Sequence, residues 1–207
     1  MMIDVMKTSS STFLEEQIFS DFIASDEIDI SLNGLISEVS EMKNKYPSHN
    51  RTNVGGYQSP TFGSYIIRGE NTCIEEDNTL VDFIKLKEIV IDFAQDYMVA
   101  RNNILITSST YNWWLNCNHY GHFNQIHTHR KTDLVGLFYI KTPPNSGKLK
   151  LIRNDGSQYS AIYRNTEYHL TPEEGRCYLF PGHLWHMVEP HGSDEERISV
   201  SFNMYVD

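Results

Sequence analysis

The sequence predicts a mainly β protein with helices, an antiparallel sandwich or jelly roll with N-terminal helices packed on one sheet. Two observations predict it. After about residue 104, β-branched and aromatic residues dominate and turn formers recur roughly every eight to twelve residues. Before that point, three stretches repeat apolar residues with the period of a helix, each with a single apolar stripe to bury. A length of 207 residues suits one domain, with a mainly helical support and a loop or strand segment over 1–103 and a jelly-roll core over 104–207.

Taken in order, Thr12 and Glu15 have capping-box spacing, and Phe13, Leu14, Ile18, Phe19, Phe22 and Ile23 recur at helical period, which predicts a short amphipathic helix. Leu32, Leu35, Ile36, Val39 and Met42 predict a second helix, and the apolar series from Leu80 to Met98 a third that ends near Arg101. Between these two, "SHNRTNVGGYQSPTFGSY" is rich in turn formers and reads as loop with a short strand. The strands of the second half are "STYNWWLNC", "LVGLFYIK", "KLKLIRN", "SAIYRN", "RCYLFP" and "ISVSFNMYV", separated by "PPNSG", "NDGS", "TPEEG" and "EPHGSDEE".

Composition excludes several function classes. A formal net charge of −10, with Lys and Arg spread thinly, argues against a nucleic-acid binder. Cys73, Cys117 and Cys177 lie far apart with no C-x-x-C pair, which suggests neither a disulfide framework nor a cysteine zinc site and fits a reducing compartment. No run approaches the roughly 18 apolar residues of a membrane span, and the first residues do not read as a secretion signal. A cytoplasmic protein with no membrane partner is expected; oligomeric state is not legible.

The stretch "GHFNQIHTHRKTDLVGLFYI" carries the chemistry. A strand sends residues i and i+2 to one face, so His127 and His129 would project into the same volume. Fifty-nine residues after His127 comes His186 in "LFPGHLWHMVEPH", and eleven later Arg197 opens "RISVSFN". Strands distant in sequence lie side by side in a jelly roll, so the gap suits a shared metal site. Two imidazoles plus a third group on one triangular face leave positions open for other ligands. Alternation places Arg197, Ser199, Ser201 and Asn203 on one face, where a guanidinium and hydroxyls can hold a carboxylate. On the strand before the histidines, Asn112, Trp114, Asn116 and Asn118 share the polar side, expected to face the cavity, opposite Tyr111, Trp113, Leu115 and Cys117.

These motifs together resemble the Fe(II)- and 2-oxoglutarate-dependent dioxygenases, and most of all the 2-oxoglutarate-iron oxygenases of bacteria and phages. "VGGYQS" at 54–59, "IHTH" at 126–129, "VGLFYI" at 135–140, "LFPGHLWHMVEP" at 179–190 and "RISVSFN" at 197–203 follow the order of that family, over about residues 54–203. The resemblance implies a double-stranded β-helix that binds iron through His127 and His186 and 2-oxoglutarate through Arg197 and Ser199, with Tyr139 and Asn118 as further contacts. Asn116, Asn203 and Trp114 would stand behind these or line the pocket. The implied activity is hydroxylation with dioxygen, giving succinate and carbon dioxide, on a small molecule or peptide that the sequence does not identify.

The chain departs from the superfamily where most relatives carry a carboxylate two residues after the first histidine. Here that residue is His129. Three options follow: His129 coordinates, Asp133 swings in from the next turn, or water completes a two-histidine site; period-two geometry favours His129. Two other classes stay open, a cupin-type three-histidine metalloenzyme without 2-oxoglutarate and a non-catalytic ligand-binding jelly roll. His119, His122, His169, His183 and His191 read as ordinary hydrogen-bonding residues.

Overall fold

Alternation of side chains along the second half resolves into two facing sheets, a double-stranded β-helix. The computed structural model describes residues 13–19, 21–49, 51–63, 73–102, 110–129, 131–153 and 166–205. The larger sheet has nine strands. In spatial order they are β1 (Leu14–Ile18), β2 (Asp21–Glu27), β12 (Arg176–Pro181), β9 (Leu134–Lys141), β14 (Arg197–Tyr205), β7 (Thr110–Asn118), β5 (Thr61–Gly63) and β6 (Cys73–Ile74), with β4 (Tyr57–Gln58) also paired to β7. The smaller sheet runs β11 (Glu167–Leu170), β10 (Leu149–Ile152), β13 (Trp185–Val188), β8 (Phe123–His127) and β3 (Asn53–Val54). The expected strand at 160–165 lies outside the described residues.

Two helices cover the outer face of the larger sheet. Helix α1 (Leu32–Lys45) starts at Ser31, whose Oγ accepts the Gly34 N–H at 3.2 Å, the hydrogen bond that defines an N-cap. Its Leu35, Val39 and Met42 recur at i, i+4 and i+7 and are buried. Helix α2 (Val81–Asn102) is capped from α1: the Glu38 carboxylate accepts the N–H groups of Asp82 and Phe83 at 2.8 and 3.0 Å, placing a negative charge at the positive end of the helix. Both stripes pack on Trp113, Leu115, Phe138, Val200 and Phe202. Residues of opposite parity, among them Val135, Leu137, Tyr139, Tyr178 and Phe180, face inward and meet Leu149 and Leu151 of the other sheet and Leu184 of the turn before β13.

One expectation fails. Residues 13–19 and 21–23 form no helix: β1 and β2 pair antiparallel in a register that sets Ile18 opposite Asp21, and Phe19 begins the reversal at φ 53°. Six apolar residues in so short a window satisfy strand pairing as well as a helical stripe, and the open edge of β12 decides between them. β2 pairs there through Ser25↔Tyr178 and Ala24↔Leu179, burying Ile18 and Ile23 on one face and Ala24 on the other. The half over 1–103 therefore contributes six short strands as well as two helices among the described residues, and the larger sheet runs across the expected 103/104 division. Among the described residues no helix is long and apolar enough to cross a membrane, and all three cysteines are free.

Trp113 joins helix to sheet. Its ring stacks on Phe62 at 4.6 Å and on Phe83 of α2 at 5.3 Å, on the side of β7 that faces away from the histidines. Trp113→Ala is expected to cost about 3–5 kcal/mol of stability, read as a lower midpoint in urea unfolding, while metal uptake by the folded protein stays at the wild-type level.

Candidate metal centre and its chambers

His186 and His127 are direct cross-strand partners on β13 and β8, so sheet register alone brings their rings to a centroid separation of 4.2 Å. His129 arrives differently from the period-two expectation. β8 ends at His127, and the chain turns away before His129. Backbone bonds fix the turn instead: the His129 N–H donates to Gly182 O at 2.9 Å, and the Gly182 N–H to Asp133 O at 3.2 Å. Gly182 has no substitute there, since a Cβ would lie 2.2 Å from Thr132 O. The result is that His129 Nε2 stands 3.1 Å from His127 Nε2 and 3.2 Å from His186 Nε2.

The other nitrogen of each ring shows what those contacts mean. His127 Nδ1 donates to Gln125 O at 2.6 Å, His186 Nδ1 donates to Leu184 O at 2.9 Å, and His129 Nδ1 donates to Asn203 Oδ1 in a short contact. A carbonyl oxygen cannot donate, so each ring spends its proton outward and turns an Nε2 lone pair inward. Three lone pairs then converge with all ligand atoms within 4.8 Å of one another. Neutral rings cannot hydrogen-bond through two bare nitrogens, whereas two nitrogens about 2.1 Å from one divalent ion and at right angles are about 3.0 Å apart. The trio has the spacing and the outward hydrogen bonds of metal-binding histidines.

Electrostatics agree. Burial pulls the His129 imidazole down to about 4, with His127 adding to the effect against the Asn203 bond. Burial, helped by the other two rings, holds His186 well below its ordinary value, and burial also lowers His127. All three rings are therefore neutral at pH 7, the form that binds a cation. Trp114 stacks on His129 at 5.6 Å, and Phe180 meets His186 edge-on at 5.0 Å.

Behind the trio, β14 presents Arg197, Ser199, Ser201 and Asn203 on the inner face while Ile198, Val200 and Phe202 enter the outer core. Arg197 is 1% exposed and pairs with no carboxylate among the described residues. Nearby Glu195 and Glu196 go instead to Lys141 and Lys43. Nη1 donates to Gly147 O at 3.0 Å, and Gly147 in turn packs against the backbone after β13 closely enough to need glycine, because a Cβ there would stand 1.9 Å from Glu189 O. The Arg197 Nε–H and the Tyr139 hydroxyl are both buried without a partner. A cation with an unspent donor beside an unspent hydroxyl is unfavourable alone and matches a carboxylate. Burial lowers the Arg197 guanidinium while Tyr139 raises it, and burial pushes the Tyr139 phenol up, so a bound anion meets a charged guanidinium and a protonated hydroxyl.

Cavities flank the histidines. A narrow inner one of about 30 Å³ lies between the sheets, lined by Leu137, Leu149, Phe180, Val188, Asn116 and Ser199 along with all three rings. An outer one of about 420 Å³ opens past His127 and His129, with Trp114 and Asn203 in its wall. Of the other residues singled out in the sequence, Asn116 donates to Ser201 Oγ at 3.2 Å, and Asn118 donates to Asn53 Oδ1 at 3.0 Å. Asp133 is exposed and is not part of the ligand group. His119, His169 and His183 approach surface carboxylates, and His191 is buried with Nε2 donating to Glu195 O at 2.7 Å. Sequence reading overlooked Asn53, Arg51, Gln58 and Lys131. Arg51 and Lys131 sit in turns, and Asn53 and Gln58 in the two-residue strands β3 and β4, too short to show a period; the available signal was "VGGYQS", which contains Gln58 and follows Asn53.

Residues 112–203 match the family described as "Putative 2OG-Fe(II) oxygenase". No curated protein matches the chain. Several solved structures share the fold. A Pseudomonas putida prolyl-4-hydroxylase is 12% identical over 89% of this chain and 92% of its own, with a TM-score of 0.60. A Trichoplax adhaerens prolyl hydroxylase in complex with a hypoxia inducible factor peptide fragment is 15% identical over 89% and 83%, at 0.63. HygX from Streptomyces hygroscopicus, with nickel and 2-oxoglutarate bound, is 10% identical over 89% and 82%, at 0.58.

The neutral trio predicts a pH dependence of the metal-free fold. Because burial depresses the folded-state value of His129 from 6.5 to about 4, the unfolded chain takes up protons first on acidification. Stability is complete above about pH 6.5 and is lost as the pH falls toward 4. Urea midpoints of chelator-stripped protein are expected to drop across that window more steeply in wild type than in His129→Asn; equal slopes would mean that the ring titrates freely.

Proposed function

We propose that the chain is an Fe(II)/2-oxoglutarate oxygenase, a reading supported by the family match over residues 112–203, in which His127, His129 and His186 hold the iron while Arg197, Tyr139 and Ser199 receive the far carboxylate of 2-oxoglutarate. The protein is an oxidoreductase that uses Fe(II), 2-oxoglutarate and dioxygen. One observation carries the ligand assignment: three Nδ1–H groups committed to oxygen acceptors leave three Nε2 lone pairs facing one point. The exposed Asp133 carboxylate stands outside this group, which supports His129 as third ligand over Asp133. The unpaired Arg197 Nε–H and Tyr139 hydroxyl support the co-substrate assignment and disfavour a metalloenzyme without an oxo-acid.

When bound, iron and 2-oxoglutarate together supply an oxidation that consumes dioxygen, releases succinate and carbon dioxide and hydroxylates a C–H bond. The chain's own part is binding, orientation and exclusion of water. Arg197 and Ser199 fix one end of the co-substrate by charge and hydrogen bonds. Leu137, Leu149, Phe180 and Val188 form the apolar part of the inner chamber's wall. Asn203 orients His129, and the strand carbonyls at Gln125 and Leu184 orient the other two rings. The substrate, a small molecule or peptide side chain, enters by the outer chamber, and free cysteines fit a cytoplasmic setting.

Three variants test this. His186→Ala is expected to remain folded and to lose iron, as measured by elemental analysis; undiminished iron would overturn the assignment. Arg197→Ala should bind iron normally yet raise the KM for 2-oxoglutarate about 30-fold or more, the loss expected when a buried carboxylate partner worth about 2–5 kcal/mol is removed. His129→Ala should weaken iron binding by about 10-fold or more, with Asp133→Ala near wild type; the reverse order would assign the third position to Asp133.

A further inference from the structure

The outer chamber differs in charge from the protein around it. The chain carries a formal net charge of −10, yet no Asp or Glu lines this chamber among the described residues, and the two charged groups that do are Arg51 and Lys131. Both are exposed, and neither has an ion-pair partner among the described residues. On an acidic protein a free cation finds a carboxylate at little cost, so two unpaired ones at a single opening are a local field of the opposite sign.

Lys131 is also held there against its backbone preference. It adopts φ 63°, a left-handed conformation that a long side chain rarely takes. The turn around it is fixed on both sides, by the His129 N–H on Gly182 O and by the Asp133 N–H on Met204 O.

Deeper in the same chamber lie two amide side chains, Gln58 and Asn112, 3% and 4% exposed. Asn112 Nδ2 points to the Tyr205 hydroxyl at 3.4 Å. The carbonyl oxygens of both amides are buried without a hydrogen-bond partner. Buried acceptors left unpaired are costly and are satisfied by a donor that fits the space.

Building on the oxygenase reading, we propose that the primary substrate is a small polar anion. Its oxyanion, a carboxylate or phosphate, is received by Arg51 and Lys131 at the mouth, and an amine, amide or hydroxyl donor reaches Gln58 and Asn112 within. Its C–H bond then lies against the His127 and His129 side of the chamber. A volume of about 420 Å³ suits a metabolite-sized molecule.

The test measures binding to protein loaded with nickel and 2-oxoglutarate, by isothermal titration and saturation-transfer NMR. The probes are the free amino acids against their carboxamides, and a set of sugar phosphates against the parent sugars. At least one acid or phosphate is expected to bind 10-fold or more tightly than its neutral counterpart, and the arm in which it appears identifies carboxylate or phosphate. The double variant Arg51→Ala with Lys131→Gly, the glycine suiting the positive φ, should lose that preference while taking up nickel and 2-oxoglutarate as wild type does. Gln58→Ala should weaken the same ligand without abolishing the anion preference. Neutral members binding as tightly as the anions, no anion preference in any pair, or a double variant that keeps it would each overturn the inference. Failure of the wild type to bind nickel or 2-oxoglutarate would instead sink the oxygenase assignment of the histidines and Arg197.

Discussion

Three neutral imidazoles that turn bare nitrogens toward one point repel one another, and much of the fold serves to hold them there. Left alone, each ring would rotate to share a proton or reach water. Here each is fixed from behind by a hydrogen bond from Nδ1, and the rings are desolvated enough that protonation, which would separate them, is disfavoured. A divalent cation turns this mutual repulsion into attraction. The two sheets provide the rigidity: β8 and β13 set His127 against His186, and β14 reaches across from the larger sheet to anchor His129 through Asn203.

The same strand joins the three histidines to the buried arginine. β14 carries Asn203 at one end of its inner face and Arg197 at the other, with Ser199 and Ser201 between them. It is also paired on both sides, by β7 and β9, along most of its length. A strand so enclosed cannot shift register without exposing Val200 and Phe202, which the helices cover. Burial of the outer face by α1 and α2 thus fixes spacings on the inner face, and helices remote from the chemistry bear on its geometry.

The sequence made β7, β9, β10, β12 and β14 legible because their alternation is long and unbroken, and parity along β14 and β7 separated the inner face from the core. Helices α1 and α2 were legible from their stripes. The N-terminal hairpin was not, since residues 13–23 fit two periods equally and only the free edge of β12 selects the strand. At the site, the identities of His127, His129 and His186 were readable, but the route of His129 was not: a strand that ends at His127 and a turn tied to Gly182 are tertiary facts with no local pattern. Arg51 and Lys131, in turns, and Gln58, in the two-residue strand β4, escaped notice for the same reason, as such segments carry no period to show which way a side chain faces.

The acceptors behind the three rings are of two kinds. His127 and His186 each lean on a backbone carbonyl two residues earlier, Gln125 and Leu184, which substitution of those side chains does not remove. His129 leans on a side chain, Asn203, on another sheet. Over evolutionary time the first two positions are buffered against drift in their surroundings, because the groups that orient them belong to every amino acid. The third depends on a side chain, so a single substitution at residue 203, far from residue 129 in sequence, removes the acceptor that orients its ring.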